Sequence, residues 1–139
     1  VLMVEYEVWY EGDLSTRCIH KDNGDVIFTD APKDNQGKGE RFSPTDLLAV
    51  SLASCMLTIM GILARKLNVD LKGTKVTVSK HMQTQPVRRI AKITLSFFCP
   101  NPIDPLIALQ LQKAAESCPV HHSLHPDLIQ DIHYQWGPV

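Results

Sequence analysis

The sequence has no surplus of charge. Fourteen Lys and Arg face fifteen Asp and Glu in 139 residues, a formal net charge of −1. This removes the electrostatic footprint by which nucleic acid or an anionic membrane surface is bound. Cysteine is sparse: Cys18, Cys55, Cys99 and Cys118 are scattered, with no CxxC pair. That argues against a secreted disulfide scaffold and fits a reducing, cytoplasmic setting. The opening "VLMVEYEVWYEGD" has no basic segment and alternates polar with apolar residues, so it reads as a strand rather than a signal peptide. Internal repeats and linker-like stretches are also missing, so residues 1–139 read as one domain.

What is present is a clear order of strands and helices. Val4, Tyr6, Val8 and Tyr10 alternate with polar or larger neighbours, as a half-buried strand does. A turn at Glu11-Gly12-Asp13 leads into "STRCIH", and Asn23-Gly24 is a hairpin signal before "DVIFTD". "APKDNQGKGE", residues 31–40, predicts a mobile loop. Then "SPTD" supplies a helix start, with Ser43 at the cap, Pro44 at the first helical position and Asp46 placed for a capping box. The helix is expected to reach about Leu67, with Arg65 and Lys66 at its negative end and Asn68 as its stop.

Within that helix, residues 47–64 carry no charge, which is at the edge of the length that spans a bilayer. Ser51, Ser54, Cys55 and Thr58 interrupt it, and a buried central helix has the same look. "TKVTVSKHM" and "RRIAKITLSFF" predict a second strand pair joined through Gln85-Pro86. A second helix is expected over about 104–117, a short helical turn at Pro126–Gln130, and a last strand at "DIHYQW". Segregated strands and helices, linked by hairpins, give the class α+β.

Two cysteines stand in suggestive places. Cys55 lies about three turns inside the apolar helix, too deep for the helix dipole to activate it. A cation from elsewhere would have to do so, and otherwise the residue is a small buried hydrophobe. Cys118 follows the second helix and precedes Pro119. The pair could be bridged only if their Cα atoms approach within about 7 Å. Cys118-x2-His121-x3-His125 has ligand types that zinc accepts, although a structural site wants a fourth ligand. Asp46 has a ready structural role as a helix cap. It also lies on the opposite face of the helix from Cys55, about 13 Å away along the axis. Arg17 is the best-placed cation in the N-terminal hairpin, and Arg88-Arg89 reads as hairpin surface.

Taken in order, "SPTDLLAVSLASC" and "AAESCPVHHSL" resemble the OsmC/Ohr family: osmotically inducible protein C, organic hydroperoxide resistance protein and their relatives. The shared features are a Pro-acid-Leu-Leu opening to a long apolar helix, small residues leading to a Cys, and a Cys-Pro after a second helix. "CPVHHSL" is nearest the OsmC-like branch. The resemblance implies an OsmC-like fold, with antiparallel strands, a long buried central helix and a second helix, in an intertwined homodimer. It implies a Cys-based peroxidase of oxidative-stress defence that reduces organic hydroperoxides. Cys55 would be the peroxidatic residue and Cys118 the resolving one. Arg17 would be the nearest match to the activating Arg and Asp46 to its acid. A dithiol, often a lipoyl group in relatives, would be the reductant, with no metal or flavin.

Two other readings follow from the residues. A non-catalytic relative would use an apolar cleft to hold a small molecule. A zinc protein would bind through Cys118, His121 and His125.

Overall fold

The computed structural model describes residues 3–137 and is α+β, with two three-stranded sheets and three α-helices among the described residues. It divides into two compact units, one ending at Leu47 and one beginning at Leu48.

The first unit is a meander of β1 (Tyr6–Gly12), β2 (Ser15–His20) and β3 (Val26–Asp30), paired antiparallel in that order. Its first turn centres on Asp13 and Leu14, both at positive φ (53° and 62°), which is the two-residue hairpin geometry that matches strand twist. That is one residue beyond the turn read from Glu11-Gly12-Asp13. At the second turn Gly24 takes φ 77°, and the Asn23 side chain accepts the Asp25 N–H at 2.9 Å. Residues 31–40 carry a 3-10 turn at Lys33–Asn35, and the Gly37 N–H donates to the Pro32 carbonyl at 2.9 Å. A Cβ on Gly37 would lie 1.8 Å from the Ala31 carbonyl oxygen, so the segment folds back closely on itself. Asp30, buried, accepts the Ser15 hydroxyl and, at 3.2 Å, the Glu40 N–H.

Helix α1 (Pro44–Lys66) starts as its sequence predicts. The Ser43 hydroxyl accepts the Asp46 N–H at 3.1 Å, and the Asp46 carboxylate accepts the Ser43 N–H at 2.9 Å, a complete capping box. Asn68 ends it in the left-handed region (φ 56°), while Val69 N–H reaches back to the Ala64 carbonyl at 2.8 Å.

In the second unit β4 (Lys75–Gln83) pairs antiparallel with β5 (Arg89–Cys99), and β6 (Ile129–Trp136) pairs with β5 in parallel. A parallel neighbour needs a crossover of a dozen or more residues. Here α2 (Pro105–Ala115), the helix expected over about 104–117, and α3 (Pro119–Ser123) supply it, so β6 joins in parallel where antiparallel strands were expected. Asp104 caps α2 by accepting the Leu106 N–H at 2.9 Å.

The core joins α1 through Leu52, Met56 and Met60 with β5 through Ile93, Leu95 and Phe97, and with α2 through Leu111 and Ala115. Each large side chain fully buried there contributes about 1.5–3 kcal/mol. By length and composition α1 could cross a membrane, but its Ala49–Ala64 face is built into this core. Outside that face Leu48, Val50 and Ile62 are exposed.

The short helix expected at Pro126–Gln130 is absent. Pro126 and Asp127 form a turn, with Leu128 N–H on the His125 carbonyl at 3.0 Å. Ile129 already pairs with Lys92, so the sheet claims those residues. The helical turn forms earlier, behind Pro119.

Candidate active site

Cys55 is half-buried on α1, between the core residues Leu52 and Met56. Cys118 comes to it from the end of α2. That helix runs out as Glu116 N–H bonds the Gln112 carbonyl at 3.1 Å, and Cys118 then becomes the cap of α3, with Pro119 at the first helical position. The Cys118 side chain is fully buried in the core shared with α1 and β5. The Cys55 thiol lies near enough to that sulfur to act on its titration. Thus the two cysteines marked by the sequence meet inside the second unit, and both are free thiols, as are Cys18 and Cys99.

The two thiols differ in surroundings. Burial pushes the Cys118 thiol above its ordinary range, because the charged form is desolvated. The adjacent Cys55 pushes the same way, while the backbone N–H groups of His121 and Val120 oppose it by pointing at the sulfur, His121 at 3.2 Å. Beyond Cys118 lies Tyr134 of β6, stacked on Phe97 at 4.9 Å between ring centres. Burial, with Glu116 and Cys118 adding to it, holds that phenol well above its usual range, and its hydroxyl is buried without a hydrogen-bond partner.

The other predicted residues have local duties. Arg17 faces Trp9 across β1 and β2, with its guanidinium 5.9 Å over the indole and its Nε paired to Glu11. Asp46 makes the capping box. His125 Nδ1 accepts the Asp127 N–H at 3.0 Å, and His121 Nδ1 is engaged by the Gln130 side chain. Cys118, His121 and His125 therefore do not converge as a zinc site, and among the described residues no group of three or more His, Cys, Asp or Glu is placed to hold a metal ion. Arg89 lies 4.0 Å from Asp127.

The family profile for OsmC-like protein matches residues 37–130, which include both cysteines. The chain belongs to the OsmC-like protein family. Among solved structures, this OsmC-like chain is similar to a candidate osmotic stress induced and detoxification response protein from Psychrobacter arcticus 273-4, with 45% identity and a TM-score of 0.91 over 97% of this chain and 98% of the other. An OsmC-like protein from Mycoplasma pneumoniae has 18% identity and a TM-score of 0.82 over 98% of each chain. An organic hydroperoxide resistance protein OsmC from Legionella pneumophila has 15% identity and a TM-score of 0.77 over 97% and 98%. At those lower identities the likeness is one of fold. No curated protein sequence matches the chain at a significant level.

Within this OsmC-like protein, two residues of interest had no signal in the sequence. Glu11 becomes visible only when the hairpin sets it against Arg17. Gln130 becomes visible only when β6 lies beside β5 and brings it to α3. Chemically, the site is a half-buried thiol beside a fully buried one, an arrangement suited to thiol–disulfide chemistry.

Proposed function

We propose that this protein is a thiol-dependent peroxidase that reduces organic hydroperoxides in the cytoplasm as a homodimer. The observation that carries this reading is the nearness of two thiols of unequal exposure, Cys55 half-buried and Cys118 fully buried. A peroxide arriving from solvent meets Cys55 first. The Cys55 thiolate attacks the terminal oxygen of ROOH, the S–O bond forms as O–O breaks, and the alcohol leaves after taking a proton. Cys55 is then a sulfenic acid. Cys118, as thiolate, attacks that sulfur; the disulfide forms and hydroxide leaves, protonated to water. An external dithiol of the lipoyl kind restores both thiols by exchange.

Burial keeps Cys118 protonated at rest, which leaves the first attack to Cys55. Arg17, from this chain or a second copy, is the proposed cation for the Cys55 thiolate. Asp46 is the proposed acid that steadies it, and Glu11 already pairs with it. Leu52, Met56 and Ile59 on neighbouring turns give Cys55 an apolar setting. There an alkyl tail gains about 0.8 kcal/mol per buried methylene, which hydrogen peroxide cannot use. The organic hydroperoxide resistance named for the Legionella pneumophila relative supports the same substrate class. The homodimer is supported by apolar surface left open on one chain, on α1 and on the outward residues Tyr6, Val8 and Tyr10 of β1.

The test is turnover of cumene hydroperoxide with a dithiol, wild type against Cys55→Ser. We expect activity in the first and none in the second. Lack of turnover by the wild type with both cumene and tert-butyl hydroperoxide would overturn the proposal.

A further inference from the structure

We propose that Gln130 is a positioning residue that keeps α3 aimed at the Cys118 sulfur and thereby sets the rate of disulfide formation, leaving the first attack on peroxide alone. The proposal rests on the peroxidase reading for its kinetic arm.

The need for such a residue follows from the length of α3. A five-residue helix makes too few internal bonds to hold its own shape. Yet its first turn carries the N–H groups of Val120 and His121 that point at Cys118 Sγ. During the second step Cys118 has to become a thiolate in a place that water does not reach. Donors fixed in advance at that sulfur replace the missing solvent. If α3 drifted, the thiolate would form unaided.

Gln130 supplies the fixation. Its Nε2 donates to the His121 carbonyl at 3.2 Å, and its Oε1 meets His121 Nδ1. Both ends of one amide thus grip one residue. Because Nε2 is committed to the carbonyl, Oε1 must be the acceptor, and His121 Nδ1–H the donor. The amide is itself anchored: Gln130 lies in β6 opposite Ile93, a fully buried residue of β5. The line of support therefore runs from the sheet through Gln130 to His121 and ends at Cys118 Sγ. The titratable groups facing that sulfur from the packed elements are Cys55 on α1 and Tyr134 on β6, while His121 on α3 turns its backbone N–H to the sulfur and its ring Nδ1 to Gln130.

The test compares wild type, Gln130→Leu and Gln130→Glu in single turnover with cumene hydroperoxide and no reductant. Quenched samples give the Cys55 sulfenic acid, trapped by a dimedone reagent, and the Cys55–Cys118 disulfide, by peptide mapping. We expect Gln130→Leu to form sulfenic acid at the wild-type rate within about twofold and to close the disulfide about tenfold more slowly, the loss expected when charge-assisted donors are misaligned. The defect should shrink as pH rises and thiolate is supplied by the medium. Gln130→Glu keeps an acceptor for His121 Nδ1–H but lacks the amide donor, and should fall between the two.

A second arm needs no peroxidase chemistry. In a background carrying Cys18→Ser, Cys55→Ser and Cys99→Ala, so that Cys118 is the one thiol left, the ultraviolet absorbance of its thiolate is titrated with and without Gln130→Leu. A midpoint moved to higher pH supports the clamp, and an unmoved midpoint overturns it. Failure of the wild type to form sulfenic acid would count against the peroxidase reading, with the titration still deciding the role of Gln130. Should Gln130→Leu not fold, Gln130→Glu decides both arms: wild-type disulfide kinetics and an unshifted titration in it overturn the proposal.

Discussion

Ile62 offers a quantitative test of whether a second copy covers the open side of α1. It is 51% exposed in the single chain, whereas Leu52, on the buried face of the same helix, is 0% exposed. Burying a whole Ile side chain is worth about 1.5–3 kcal/mol, so covering the exposed half contributes about 1 kcal/mol per subunit and about 2 kcal/mol per dimer. At about 1.4 kcal/mol per factor of ten, Ile62→Ala should weaken association by about 30-fold. Leu52→Ala acts differently. It removes a side chain from the core inside one chain and should cost about 2–5 kcal/mol of folding stability. Sedimentation equilibrium from nanomolar to micromolar concentration reads the first effect, and urea denaturation reads the second. A wild type that stays monomeric at micromolar concentration would refute the reasoning. A dimer with the same Kd in Ile62→Ala would also refute it, since the open side of α1 would then not be the covered one.

The raised titration of Cys118 sets the pH dependence of the second step. Only the thiolate attacks, so disulfide formation should accelerate steadily from pH 6 to 9, and a rate flat across that range would contradict the burial argument. Arg17→Ala should slow peroxide reduction at least tenfold with little loss of fold, and Arg17→Lys should recover part of it, since Lys lacks the planar fork; rates equal to wild type in the stopped flow would remove Arg17 from the mechanism. Gly37→Ala should destabilise the first unit by about 1–3 kcal/mol, because the new methyl meets the Ala31 backbone rather than a flexible side chain. An unchanged thermal midpoint would show that the 31–40 segment yields at no cost.

Much of the fold could be read from local chemistry. Ser43, Pro44 and Asp46 announce the start of α1, and Asn68 its end, because capping is decided within a few residues of chain. The strands from β1 to β5 follow from alternation and turn residues. The last strand, read at "DIHYQW", is there as β6, but between Cys118 and that strand the reading failed, for a physical reason. The cap of α3 is a sulfur accepting the His121 N–H, a poorer signal than the oxygen caps, so the helix passed unnoticed. Pro126 then looked like a helix start, though the parallel pairing of Ile129 with Lys92 had already claimed the residues after it.

The two cysteines were recognisable by their motifs, but their contact depends on how α2 packs against α1, which no local pattern encodes. Gln130 and Glu11 were hidden for the same reason: each matters only through a residue that the fold brings beside it.

The most direct measurement is peptide mapping of the protein after one equivalent of cumene hydroperoxide, without reductant and under thiol blocking. We expect a single bridge between Cys55 and Cys118, with Cys18 and Cys99 recovered as free thiols, because Cys55 and Cys118 already lie beside each other. A Cys18–Cys99 bridge, or four free thiols after exposure to peroxide, would contradict the thiol-peroxidase assignment.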